Sequence, residues 1–147
     1  MGVWATNLTG DYQINESSYV ASPSFSFLDC TTISLTVEHW HNFEGGANNL
    51  DGGIVQLSTD GGETWQTIAP SSGDVYYTSE VLQTAFAPPN GEHGFSGLGD
   101  NKTWKTSTFS LDGFAGEIDV TIRFVFGSDA MTVRAGWYID TVTLTGS

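Results

Sequence analysis

Ile118-Asp119-Val120-Thr121-Ile122-Arg123-Phe124-Val125-Phe126 decides the fold class. Apolar side chains hold every second position of the run, and Asp119, Thr121 and Arg123 fall between them. Successive residues of a strand point to opposite faces, so this is the pattern of a half-buried strand. Ile33-Ser34-Leu35-Thr36-Val37-Glu38 repeats it. Further strand candidates are Ser24–Leu28, Ile54–Ser58, Trp65–Ile68, Ser107–Leu111 and Trp137–Leu144. Clusters of Gly, Asn and Pro at 45–53, 70–74 and 87–101 separate them. No segment sustains a 3.6-residue apolar period, and a short helical turn is expected only at Ser79–Ala85. Many short strands with one-sided alternation predict an all-β chain, a two-sheet antiparallel β-sandwich of jelly-roll type.

At 147 residues the chain is expected to be one module, 1–147, with room for a single core. Met1-Gly2 leads straight into Val3-Trp4, as where a domain is cut from a longer protein. Seventeen acids face four bases, for a net charge of −13, and residues 1–101 hold no Lys or Arg. Such a surface repels nucleic acid and anionic membrane, and no apolar run is long enough for membrane insertion. Cys30 is the only cysteine, so no intramolecular disulfide forms; it is expected as a small core side chain.

In the last candidate strand, Asp140 sits within an apolar run. Strict alternation places it on one face with Tyr138, Val142 and Leu144. A carboxylate in that position needs a cation, an arginine or backbone N–H donors around it.

Ser58-Thr59-Asp60-Gly61-Gly62-Glu63-Thr64-Trp65 resembles the Asp-box, a hairpin signature of secreted β-proteins. Asp60 is expected to accept turn N–H groups, Gly61 and Gly62 to supply positive φ, and Trp65 to fold back as an apolar plug. The motif occurs once, which gives no support to a propeller of repeated blades.

A wider resemblance runs through Trp4-x-Thr6-Asn7-x2-Gly10-x-Tyr12, Tyr19-x3-Pro23, His39-Trp40, Glu44, Asp51-Gly52-Gly53 and the Asp60 hairpin. It continues through Phe95-Ser96-Gly97, Trp104, Leu111, Ala115-Gly116, Arg123-Phe124, Gly127-Ser128-Asp129 and Gly136-Trp137-Tyr138-Ile139-Asp140. In that order the residues are similar to the MAM-like jelly-roll domain of immune-inhibitor-A-type secreted bacterial metallopeptidases and related surface proteins. The resemblance covers nearly the whole chain. It implies an extracellular or cell-surface, non-catalytic module of a larger bacterial protein, held beside a neighbouring domain of the same chain. Related jelly rolls place a calcium-binding acid before the position of Trp4, where this chain starts. They also tend to end Ile-Asp-Asp-Val, where this chain has Ile139-Asp140-Thr141-Val142. Asp140 remains, and with Glu44, Asp51 and loop carbonyls it forms the expected structural calcium site. The competing arrangement pairs Asp140 with Arg123 or Arg134 and uses Asp51 to cap its own turn.

His39-x-His41 followed by Glu44 is the one enzyme-like constellation. Two imidazoles on one strand face have chelating spacing, which resembles the cupin pattern, and a cupin-like metal-dependent enzyme on His39, His41 and Glu44 is the alternative. The glutamate follows too closely for that pattern, and no second cupin motif accompanies it. In the loops, Asn49, Tyr76, Tyr77 and His93 have the chemistry to contact a glycan or a protein surface, as do Asn48 and Asn101. The expected function is that of a calcium-stabilised accessory module without catalysis, for binding such a surface or for structural support.

Overall fold

The structure is a computed structural model that describes residues 2–45, 49–77, 82, 91–99 and 103–147. Among the described residues nine strands run in chain order: β1 (Trp4–Ala5), β2 (Ser17–Ala21), β3 (Ile33–Asn42), β4 (Gly52–Ser58), β5 (Gln66–Ile68), β6 (Phe95–Ser96), β7 (Lys105–Ser110), β8 (Thr121–Gly127) and β9 (Gly136–Gly146). One sheet has the order β1-β9-β3-β7. The other has β2-β8-β4-β5, with β6 added beside β4. Every pairing between these strands is antiparallel. Among the described residues the only helical element is a single 3-10 turn at Asp112–Phe114. The chain is therefore a two-sheet β-sandwich, as the alternating runs require. The turn expected at Ser79–Ala85 lies outside the described residues except for Leu82.

The alternation sets the layers. In β3, Ile33, Leu35, Val37, His39 and His41 are buried, while Ser34, Thr36, Glu38 and Trp40 face outward. From β8, Ile122, Phe124 and Phe126 meet them across the sandwich. The β8 pattern is shorter in space than in sequence. Val120 is only bridged to Phe25, and Ile118 is 67% exposed in the turn before the strand. Ser24–Leu28 forms no strand; Phe27 enters the core from a loop whose amide bonds to the Glu117 carbonyl. The second edge strand is Ser17–Ala21 instead. It pairs only with β8 and buries little, so it carries no strong apolar signal. Cys30 is partly buried against the core.

Trp137 is fully buried and joins the two halves of the core. Its ring makes edge or tilted contacts with Trp4, His39, Phe43, Phe95 and Phe124. Gly53 in β4 faces this ring so closely that a Cβ there would collide with it. A small second cluster, Ile54, Leu82 and Val125, covers the outer face of β4 and β8, which explains why β4 is buried on both sides.

The Asp60 turn after β4 is built from hydrogen bonds. Ser58 Oγ accepts from the Gly62 amide at 2.9 Å, and Asp60 Oδ1 accepts from the Thr64 amide at 2.9 Å. Thr64 Oγ1 also donates to Asp60 Oδ2. These bonds hold the Asp60 carboxyl down at about 2. Gly61 and Gly62 adopt φ of 75° and 89°, a region that favours glycine. Trp65 is not a core plug. It is half-buried on the sheet surface, its indole N–H donates to the Gly62 carbonyl at 3.1 Å, and Arg123 stacks over its ring at 4.0 Å.

Candidate functional site

Three carboxylates converge at one end of the sandwich. Glu44 follows β3, Asp51 precedes β4 and Asp129 follows β8; one oxygen from each lies within 4.8 Å of the others. The sheet brings them together, because Gly52 pairs with Gly127, which places the residues flanking both strands side by side. Asp51 is fully buried. Its Oδ2 accepts from the Tyr12 hydroxyl at 2.7 Å, and its Oδ1 accepts from the Asp129 amide at 2.7 Å. The Tyr12 oxygen in turn accepts from the Glu44 amide at 2.9 Å, so one buried hydroxyl ties both acidic segments together.

Burial and neighbouring like charge both work against ionisation of Asp51. Burial pushes the Asp51 carboxyl up to about 6, with Asp129 and Glu44 adding to the shift, although its two hydrogen bonds oppose it. Burial and the bond to Asp51 also raise the Tyr12 hydroxyl. Glu44 Oε2 is buried with no hydrogen-bond partner among the described residues. The described arginines are used elsewhere. Arg123 donates twice to Gln56 Oε1 and lies over Trp65 and Tyr19, and Arg134 donates to the Val133 carbonyl. Among the described residues Asp140 pairs with neither arginine, and the Asp51 carboxylate bonds to Tyr12 and to the Asp129 amide.

Asp140 is not part of this cluster. The register between β3 and β9 shifts by one residue, from Val37↔Val142 to His39↔Ile139. That bulge changes the phase of the strand. Trp137 and Ile139 face inward before it, and Val142 and Leu144 lie opposite the inward Val37 and Leu35 after it. Asp140 is exposed at the irregularity, where it needs no buried partner. Of the expected trio Glu44, Asp51 and Asp140, the structure groups Glu44 and Asp51 with Asp129 and leaves Asp140 apart. The signal for Asp129 was its place in Gly127-Ser128-Asp129 at a strand end; its distance of 78 residues from Asp51 hid the contact.

His39 and His41 do point the same way, with rings 6.1 Å apart, but their third neighbour is Asp74 rather than Glu44. All three are buried. The Trp137 indole N–H can only donate, so His39 Nδ1 accepts it at 3.1 Å, and the proton of neutral His39 sits on Nε2, 2.6 Å from Ser107 Oγ. His39 therefore offers no lone pair to a metal on Nε2 while this bond holds. Burial, with His41 beside it, lowers the His39 imidazole to about 4, which keeps it neutral. His41 Nδ1 lies 3.2 Å from Asp74 Oδ2 and stacks on Phe43. This geometry does not favour a cupin-like metal centre.

One curated protein shares this chain's pattern over nearly its full length. The chain is 25% identical over 142 residues to Bacillopeptidase F of Bacillus subtilis (strain 168). The aligned part is 97% of this chain but only 8% of that protein's length. No protein-family model matches the chain.

Of the loop residues expected to contact a ligand, Tyr76, Tyr77 and His93 lie on neighbouring backbone. Asn49 is buried, in a left-handed conformation with φ of 46°. Tyr76 packs edge-on against Phe95, donates to the His93 carbonyl at 3.2 Å and has its hydroxyl pushed up to about 12 by burial and by Glu92. Tyr77 is half-buried and bridges to Gly94, while His93 is exposed. Asn48 and Asn101 lie outside the described residues. Alternation in β3 was an unused signal: it puts Trp40 and Glu38 on the outer face, beside Tyr138.

Proposed function

We propose that the chain is a non-catalytic accessory module of a larger secreted bacterial protein, a peptidase by analogy with the matched sequence. Its role is to bind a glycan or protein surface, or to support a neighbouring domain. The observation that carries this reading is the shape of the match: nearly all of this chain against 8% of a peptidase, which is one module's worth of a long protein. The strand order supports a jelly-roll assignment. With the short β6 set aside, each four-stranded sheet takes two of the first four and two of the last four strands, in the orders β1-β9-β3-β7 and β2-β8-β4-β5, as a doubled-over pair of Greek keys does. Among the described residues no helix is long and apolar enough to cross a membrane.

The carboxylate cluster is proposed as a structural calcium site formed by Glu44, Asp51 and Asp129. Calcium takes oxygen ligands at about 2.3–2.6 Å, so its ligands lie at most about 5 Å apart, and the cluster fits within that span. A bound cation would offset the like-charge repulsion and give Glu44 Oε2 a partner. The cation's role is to tie the end of β3 to the strand ends of β4 and β8.

The test is thermal melting in EDTA, in millimolar calcium, and in magnesium at matched ionic strength. Ligand binding to the native state raises stability by RT ln(1 + [L]/Kd), and matched salt equalises screening. Calcium is expected to raise Tm more than magnesium does, and Asp129→Asn to abolish the difference. Equal responses to the two ions would remove the calcium assignment. Hydrolysis of casein by the purified chain would remove the non-catalytic reading.

A further inference from the structure

The outer face of the β1-β9-β3-β7 sheet carries a groove lined by aromatic and acidic side chains. One end, about 330 Å³, is lined by Trp40, Trp104, Tyr138 and Ala135. The adjoining end, about 270 Å³, shares Trp104 and adds Glu38, Lys105, Thr106 and Asp140. Trp104 is 51% exposed, which is high for a ring of that size. Trp40 and Tyr138 stand edge to face at 5.6 Å, and the Tyr138 hydroxyl is anchored by donating to the Asn7 carbonyl. Two of the rings are therefore held in place before any ligand arrives. Asp140 follows the inward Ile139 and so faces out on the same side as Tyr138, towards Glu38 and Thr106. Beyond the groove the face continues as hydroxyls: Thr108, Thr36 and Thr143 form one row across three paired strands, and Ser110, Ser34 and Thr145 form the next.

We propose that this groove binds a neutral, hydroxyl-rich glycan chain, with a sugar ring stacked on Trp104 beside Trp40 and Tyr138 and its rim hydroxyls donating to Glu38 and Asp140. The proposal rests on the accessory-module reading above and gives it a ligand class and a site. A sugar ring has an apolar C–H face, which suits an aromatic platform, and a rim of O–H donors. Ionised carboxylates only accept, so they match hydroxyl donors. A proline-rich peptide offers mainly carbonyl acceptors and would leave Glu38 and Asp140 unmatched. The net charge of −13 opposes acidic polysaccharides. Extended sugar polymers can continue over the threonine and serine rows, where each hydroxyl both donates and accepts.

The experiment titrates the full chain with three soluble hexasaccharides, of β-1,4-glucose, β-1,4-N-acetylglucosamine and α-mannose, and with a proline-rich peptide and a lysine-rich peptide. Calorimetry and tryptophan fluorescence are the readouts. At least one hexasaccharide is expected to bind, with little dependence on salt. Trp104→Ala should weaken it about tenfold or more, from the loss of one stacked ring. Asp140→Asn should weaken it severalfold, and Trp65→Phe, on the opposite sheet, should leave it unchanged. Trp104 and Asp140 are exposed, so both variants should keep the wild-type melting temperature; if Trp104→Ala does not, Asp140→Asn and Glu38→Gln decide the matter. Binding by none of the hexasaccharides overturns the proposal. So does binding that Trp104→Ala, Asp140→Asn and Glu38→Gln leave intact, or binding of a peptide alone. In each of those cases an intact calcium response and absence of casein hydrolysis still leave the accessory-module reading standing.

Discussion

Replacing Asp51 with asparagine should make the metal-free protein more stable at neutral pH and less stable relative to the wild type once calcium is added. Asp51 is fully buried, and its carboxyl is raised from an ordinary value of 3.8 to about 6. Below about pH 4 the carboxyl is protonated in both the folded and unfolded chains and has no pH-dependent effect. As pH rises from about 4 to 6, the unfolded chain releases its proton and the folded chain retains it, so stability falls. At 1.36 kcal/mol per pH unit the loss is about 3 kcal/mol by pH 7. His39 works in the opposite direction over nearly the same window. Its imidazole is lowered from 6.5 to about 4, so stability is lost as pH falls from about 6.5 to 4, again by about 3 kcal/mol. In the wild type the two contributions nearly cancel. Asp51→Asn should unmask the histidine: without metal, its stability should rise relative to the wild type from pH 4 to pH 7 by up to about 3 kcal/mol. Asparagine keeps an acceptor for the Asp129 amide, so the fold should survive. The assay is urea unfolding followed by tryptophan fluorescence at pH 4, 5, 6 and 7 in EDTA, repeated with millimolar calcium. Parallel wild-type and variant profiles in EDTA would refute the burial argument, and a variant that still gains from calcium as the wild type does would remove Asp51 from the cation site.

Gly53→Ala should cost about 1–3 kcal/mol in chemical unfolding, because the new methyl group meets the buried Trp137 ring and must displace it. Asp60→Ala should lower the melting temperature at pH 7, and the deficit should shrink as pH falls below 3.8 and through about 2, where the wild-type carboxyl also loses its charge. A deficit independent of pH would assign the effect to the turn's shape rather than to the ionised acceptor. Trp137→Phe should cost at least about 1–3 kcal/mol, since it leaves His39 Nδ1 buried without its donor, and a His39→Phe background should relieve part of that cost in a double-mutant cycle.

The two-sheet architecture was legible because it depends on local alternation. In β3 every odd residue from Ile33 to His41 is buried, and the run from Val120 to Phe126 behaves the same way. Burying one apolar face is a property of the strand itself, readable without knowing its partner. The Asp60 turn was legible for a similar reason, since all its hydrogen bonds close within a few residues. The role of its tryptophan was not, because the contact that holds Trp65 on the surface comes from Arg123 on another strand. Glu44 and Asp51 were recognisable as site candidates because they flank one loop, and their segments are bonded backbone to backbone. Asp129 joins them only through the β4–β8 register, and Tyr12 only through the core. The β9 bulge shows the limit most clearly. A single extra residue in β9 reverses which face each later side chain takes, and nothing in Ile139-Asp140-Thr141-Val142 marks where that residue falls. Local composition determined which segments would be strands and which faces would be apolar. Pairing register decided which carboxylates meet, because register is a relation between two chain segments and neither one specifies it alone.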